Sequence, residues 1–311
     1  MIPPSRSLRS RAAWLLAPFA LAVALGLAGC AGDAKKDDYV EKPISTLYDE
    51  AMGKMAEKDY KLAAKAFEEV ERQHPYSTWA VKAQLMAAYA YYQGAKFDDA
   101  IVAADRFIEL YPANSDVPYA YYLRALCYYE QISDVARDQK MTLLARDTLQ
   151  EVIKRFPDSE YARDARLKLD LTTDHLAGKE MEIGRYYLKR GDWLSAINRF
   201  QTVAEKFQTT SHVPEALYRL IEVYTTLGLT DQAEKAGAVL GYNYPGSDWY
   251  VMAFRLLKPG APAPTPKPEP DAKSVTDYLW PFSSGERAPA PPQTKPEKDS
   301  GSSWTDKLWP F

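Results

Sequence analysis

The chain reads as an all-α protein, a solenoid of about five stacked helix pairs followed by a disordered, proline-rich tail. Three observations predict this. A block of small and apolar residues recurs five times with the same internal offsets. Each block closes on an aromatic residue or His, in four cases followed by proline. From Lys258 onward the composition changes abruptly.

The blocks are Ala63, Phe67, Val70 and His74-Pro75; Ala100, Ala104, Phe107 and Tyr111-Pro112; Ala145, Leu149, Val152 and Phe156-Pro157; Ala196, Phe200, Val203 and Phe207-Gln208; Ala233, Gly237, Leu240 and Tyr244-Pro245. Offsets of four and seven place the apolar residues on one helix face. The small first residue lets that helix lie close against the helix before it. Proline then ends the unit, because it cannot continue a helix interior. Tyr91, Tyr187 and Tyr224 occupy a shared position in the preceding helix. The block-to-block spacings are 37, 45, 51 and 37 residues, against roughly 34 for a tetratricopeptide repeat. The pattern therefore resembles tetratricopeptide pairs with extra length in the third and fourth units, and 131–140 reads as one such insertion. Turns within pairs are expected at Lys58-Asp59, Gly94-Ala95-Lys96, Gly191-Asp192 and Gly228-Leu229. Five pairs over 44–257 would stack into a solenoid with the first helices on its concave face. The rival architecture is a compact bundle with a chance likeness.

Residues 1–29 read as an export signal. Arg6, Arg9 and Arg11 form the positive segment, and residues 12–25 form a short apolar core interrupted by Pro18. Fourteen residues are few for a membrane span. Leu27-Ala28-Gly29-Cys30 resembles the bacterial lipobox, in which the cysteine becomes the acylated first residue of the mature chain. Two or more acyl chains anchor a protein stably where one does not. The plainer alternative is an ordinary signal with a free cysteine nearby. Ala31, in place of the Asp that commonly retains lipoproteins in the inner membrane, favours the outer membrane. Residues 30–43 then form the lipidated Cys30 and its tether, which spans at most about 45 Å.

Acylation of Cys30 leaves Cys127 without a disulfide partner. Its apolar surroundings in 123–129 suit a small buried hydrophobe. His74, His175 and His212 are isolated, and there is no HExxH, P-loop or GxSxG pattern. Carboxylates such as Glu68, Glu69 and Glu71 alternate with cations, as on a solvated helix face. No catalytic residue, cofactor or metal is therefore expected. The formal net charge of −3 becomes −6 once the three arginines before Cys30 are removed, which disfavours nucleic-acid binding.

Longer strings are more specific. Leu47-Tyr48, Ala88-Tyr89-Ala90-Tyr91-Tyr92, Asp105-Arg106-Phe107-Ile108, Tyr161-Ala162-Arg163-Asp164-Ala165 and 186–193 together resemble the BamD (ComL-type) family of outer-membrane β-barrel assembly lipoproteins, over roughly 43–245. The resemblance implies a scaffold on the periplasmic face of the outer membrane, held by its lipid anchor. Its implied partners are a barrel-forming protein with POTRA domains, other assembly lipoproteins and unfolded outer-membrane β-barrel proteins. It implies substrate recognition in the first repeats and partner docking in the last, the latter through Arg190, with neighbouring Asp192 and Trp193 as candidates. For Arg190 the alternative role is a cation at a helix C-terminus. Tyr48, Tyr89, Tyr92, Tyr119 and Tyr122 are candidates for a groove holding the substrate's terminal segment, although several must instead be core. A repeat scaffold for cell-division or peptidoglycan-associated complexes is the alternative function.

The tail, 258–311, holds two copies of one motif, Thr276-Asp277-Tyr278-Leu279-Trp280-Pro281-Phe282 and Thr305-Asp306-Lys307-Leu308-Trp309-Pro310-Phe311. Leu279, Trp280, Phe282, Leu308, Trp309 and Phe311 read as anchors of a duplicated linear motif, which would raise effective concentration at a partner. Duplication without function is the alternative.

Overall fold

The structure, a computed structural model, describes residues 41–262 and 264. The expected export segment, Cys30, most of the expected tether and both tail motifs lie outside the described residues. Within them are eleven helices and no strand: α1 (Ile44–Ala56), α2 (Tyr60–Gln73), α3 (Thr78–Gln93), α4 (Phe97–Leu110), α5 (Val117–Tyr129), α6 (Lys140–Arg155), α7 (Glu160–Arg190), α8 (Trp193–Lys206), α9 (Val213–Thr226), α10 (Thr230–Asn243) and α11 (Asp248–Leu257). Each helix packs against its neighbours in the chain. The first helices of successive pairs also touch, α1 with α3, α3 with α5, α5 with α7 and α9 with α11. Among the described residues the fold is an all-α solenoid of five pairs followed by α11, which packs on α9 as the first helix of a further pair would.

The recurring block explains the packing. Ala63, Phe67, Val70, Ala100, Ala104, Phe107, Ala145, Leu149, Val152, Ala196, Phe200 and Val203 are all fully buried, and Ala233 and Leu240 nearly so. The aromatic closing each block caps its helix in one repeated conformation. His74, Tyr111, Phe156, Phe207 and Tyr244 have φ of −134°, −128°, −132°, −123° and −133°, and each cap amide donates to the carbonyl of the block's third residue. Three residues on, the amides of Ser77, Asn114, Ser159, Thr210 and Ser247 return to the cap carbonyls. Phe207 adopts this cap although Gln208 replaces proline, so the hydrogen bonds make the turn and proline only stiffens it. Ser77, Ser159 and Ser247 then cap the next helix, their hydroxyls accepting from Trp79, Ala162 and Trp249 amides.

Turns within pairs repeat as well. Lys58, Ala95, Gly191 and Gly228 are left-handed, with φ of 61°, 54°, 74° and 74°. After each, an amide reaches back five residues: Asp59 to the Lys54 carbonyl at 3.0 Å, Lys96 to Tyr91 at 2.9 Å, Asp192 to Tyr187 at 3.1 Å and Leu229 to Tyr224 at 2.8 Å. In the second pair the glycine stands one place early, at Gly94, because a Cβ there would lie 3.2 Å from that of Tyr60. The third pair has no such turn, and 130–139 forms an irregular connection in its place.

The extra length of the fourth unit is helix. α7 runs 31 residues, roughly 45 Å. Ala165 packs in the core built from α3 to α7, whereas Ala177 and Met181 belong to the core of α7 to α11. A third core joins α1, α2 and α3. No proline interrupts α7, and its two glycines serve close packing. A Cβ on Gly184 would sit 2.5 Å from the Phe200 ring, and one on Gly178 would sit 3.1 Å from His212 Nε2.

Candidate protein-docking surfaces

The end of α7 and start of α8 carry the residues expected to dock a partner. Gly191 supplies the left-handed C-cap, and Asp192 caps α8, accepting from the Ser195 amide at 3.3 Å and hydroxyl at 2.8 Å. Trp193 packs half-buried on the C-terminal core. These two side chains therefore hold the turn. Arg190 is fully solvent-facing; its guanidinium donates to the Tyr186 hydroxyl at 2.6 Å and lies 5.5 Å above that ring. It bonds a phenol one turn back and no helix carbonyl, so it is not the hydrogen-bonding C-cap of α7. Tyr186 is 53% exposed and Leu194 71% exposed. The end of α7 thus exposes a cation stacked on an aromatic ring, and the first turn of α8 exposes a leucine, residue types that recur as interface anchors. Leu194 was not among the expected site residues. It lies off the 196-200-203 face, so its apolar character has no use inside the fold. That periodicity mismatch is the signal for it.

The tyrosines divide differently from the expected groove. Tyr92, Tyr119 and Tyr122 are 2%, 0% and 4% exposed, and are core. The expectation that they line a groove is corrected on this point. A first helix in a solenoid is covered on both flanks by neighbouring pairs, and these three rings lie on the flanks. Tyr122 stacks on Tyr161 with centroids 5.3 Å apart, and Tyr119 meets the same ring edge-on at 5.4 Å. Their polar tips are satisfied locally: the Tyr122 hydroxyl donates to Asp164, which also accepts from Lys168 at 2.7 Å, and Tyr92 donates to Glu130 at 3.3 Å. Burial first, then the Asp164 hydrogen bond, pushes the Tyr122 phenol far above its ordinary range.

Tyr48 and Tyr89 remain half-buried. Tyr48 sits edge-on to Phe67 at 5.5 Å and Trp79 at 4.9 Å. The Tyr89 hydroxyl accepts from Gln93 Nε2 at 2.7 Å.

Cys127 is free and buried, its thiol pushed up first by burial and then by Glu130. Among the described residues no three His, Cys, Asp or Glu side chains gather to hold a metal ion. Likewise, none of their helices is long and apolar enough to cross a membrane. His74 contacts the Lys42 carbonyl at 2.8 Å, and His212 lies 3.6 Å from Asp174.

Stacked helix pairs sharing one recurring packing block define a helical-repeat protein of the tetratricopeptide class. A solved thermophilic TPR protein from Thermus thermophilus covers 69% of this chain and 99% of its own, at 18% identity and a TM-score of 0.32. A family model described as "YfiO: Outer membrane lipoprotein" matches residues 40–240. Outer membrane protein assembly factor BamD of Caulobacter vibrioides is 54% identical over 240 residues, covering 76% of this chain and 79% of the relative. BamD of Rickettsia prowazekii is 49% identical over 238 residues, covering 76% and 94%. The chain belongs to this BamD (YfiO) family of outer membrane lipoproteins.

Proposed function

We propose that the protein is a lipid-anchored scaffold of outer-membrane β-barrel assembly, working by binding and not by catalysis. The observation that carries this reading is the 54% identity to an outer membrane protein assembly factor over 240 residues. Cys30 followed by Ala31 supports an anchor in the outer membrane with the repeats on its periplasmic face. The barrel-forming, POTRA-bearing partner docks on the patch of Arg190, Tyr186 and Leu194. The solvent-facing guanidinium offers a cation already oriented by its ring, so little side-chain entropy is lost on binding. Unfolded barrel proteins are held by the first three repeats, where Tyr48 and Tyr89 are only partly buried. Other assembly lipoproteins complete the complex.

Affinity purification of the full chain in mild detergent, with Arg190→Glu and Leu194→Asp variants, tests this. Wild type should retain a POTRA-bearing β-barrel protein, and each variant should lose it at least tenfold with helicity unchanged. Undiminished recovery with both variants would reject the docking patch. Recovery of septal or peptidoglycan-associated proteins alone would reject the assembly role and favour the cell-envelope alternative.

A further inference from the structure

The connections into α5 and α9 are six residues each, where those into α3, α7 and α11 are four. Beside the first of these six-residue connections lies a cavity of about 510 Å³, between the end of α4, the start of α5 and the end of α6. Ile108, Pro112, Val117, Pro118, Tyr121 and Phe156 form its apolar wall, Asn114 and Ser115 add polar groups, and Arg155 is its charged residue. The aromatic wall is fixed in place. Tyr121 lies 5.3 Å from Phe156, with the Arg124 and Arg155 guanidinium carbons 4.9 Å and 5.2 Å from its ring centroid. Glu151 holds both arginines, accepting from Arg124 at 2.5 Å and from Arg155 Nε at 2.8 Å. The volume falls in the range that encloses a ligand of several rings.

We propose that this cavity is the docking site for the chain's own Leu-Trp-Pro-Phe motif, at 279–282 or 308–311. Three features select this occupant. The first is surface chemistry: grooves walled by aromatic and proline side chains take short proline-containing peptides, whose locked φ reduces the entropy lost on binding. Leu-Trp-Pro-Phe offers three apolar anchors around one such residue. The second is charge. Each copy has an Asp two residues before its leucine, Asp277 and Asp306, to meet Arg155.

The third is reach. Leu279 and Leu308 lie 22 and 51 residues beyond the last residue of α11, distances of up to about 75 and 175 Å when extended. The cavity is six helices back along the solenoid, at most about 60 Å at 10 Å per packed helix. Both copies reach it. Tethering places them at an effective concentration near the millimolar range, well above a second chain in dilute solution. Two copies for one cavity make the docking redundant, because either fills it alone.

Photocrosslinking in the full-length protein tests this. A benzoylphenylalanine replaces Ala113, an exposed residue of the cavity rim, in a dilute mixture of light and heavy isotope-labelled chains. Crosslinks should join position 113 to 276–282 or 305–311 within the same chain. They should survive W280A/F282A alone and W309A/F311A alone, and fall at least tenfold when all four are combined. Arg155→Glu should reduce them severalfold. None of the four tail positions belongs to the described helices. The proposal is overturned by crosslinks of mixed isotope, which would make a second copy the occupant. Crosslinks solely to another envelope protein in the intact complex would overturn it too. So would crosslinking that persists in the quadruple variant, or yields no higher at the motifs than at 287–296.

Discussion

The left-handed turns allow a paired test of how much backbone strain the solenoid stores. Ala95 holds φ of 54° where the fourth and fifth pairs place Gly191 and Gly228. A left-handed residue with a Cβ costs about 1–2 kcal/mol. Ala95→Gly removes that cost but frees the unfolded chain by about 0.4–1 kcal/mol, so the net gain is about 0.5–1 kcal/mol. Gly228→Ala is the mirror experiment. A Cβ at Gly228 meets nothing within 4 Å, so its cost is purely conformational, about 0.5–1 kcal/mol in the opposite sense. For a body of this size, thermal midpoints should rise by about 1–4 °C in the first variant and fall by as much in the second. Circular dichroism on the full chain reads both shifts. Hydrogen exchange at the Lys96 and Leu229 amides, which close the two turns, should slow and quicken respectively. In a repeat protein the effect should stay within the altered pair and its neighbours. A lower midpoint for Ala95→Gly, or no change for Gly228→Ala, would refute the equivalence of these turns.

Gly184→Ala puts a methyl 2.5 Å from the Phe200 ring and should destabilise by about 1–3 kcal/mol in urea unfolding; adding Phe200→Leu should restore part of the loss, and a neutral first substitution would show the ring free to move. Gln84 is 3% exposed, and neither its amide nitrogen nor its oxygen has a partner. Gln84→Leu should therefore raise the urea midpoint, by about 1 kcal/mol of stability, whereas a lower midpoint would mean that the amide is satisfied in solution. Burial, with Asp49 adding, pushes the Tyr48 phenol up to about 12. The unfolded phenol ionises near 10, so the folded state holds the proton longer and this contribution is complete below pH 10. It is lost as pH rises towards 12, by at most about 2.7 kcal/mol. Tyr48→Phe should flatten that alkaline decline, and an identical pH profile would dispose of the idea.

The helix pairs were legible because one face of each second helix is specified by residues four and seven apart, and a helix's own period determines that face. The fixed offset to His74, Tyr111, Phe156, Phe207 and Tyr244 likewise marked where each such helix ends. What surrounds a first helix depends on how successive pairs stack, which no local period encodes. Tyr92, Tyr119 and Tyr122 therefore looked like groove residues and are core. The turn at Gly94-Ala95 misleads for a related reason: the glycine answers a contact with Tyr60, while its neighbour takes the strained conformation. The added length before Ala196 gave no sign of being helix, since seven of the sixteen residues 160–175 are charged and suit an insertion equally well. At the proposed docking patch, Arg190 was named from the family resemblance. Tyr186 and Leu194 emerge only once the exposed face of that turn is known.

The uninterrupted α7 has a mechanical consequence. Solenoids usually change curvature by small slips between successive pairs, each with a loop to absorb the adjustment. Here the middle and last cores grip opposite ends of one rod, so the two halves cannot pivot about a flexible joint. Any change in their relative angle must bend or twist a hydrogen-bonded helix. A load applied at the Arg190 end is thus delivered to the Ala165 end through a stiff strut, and the distance between the two ends stays nearly constant.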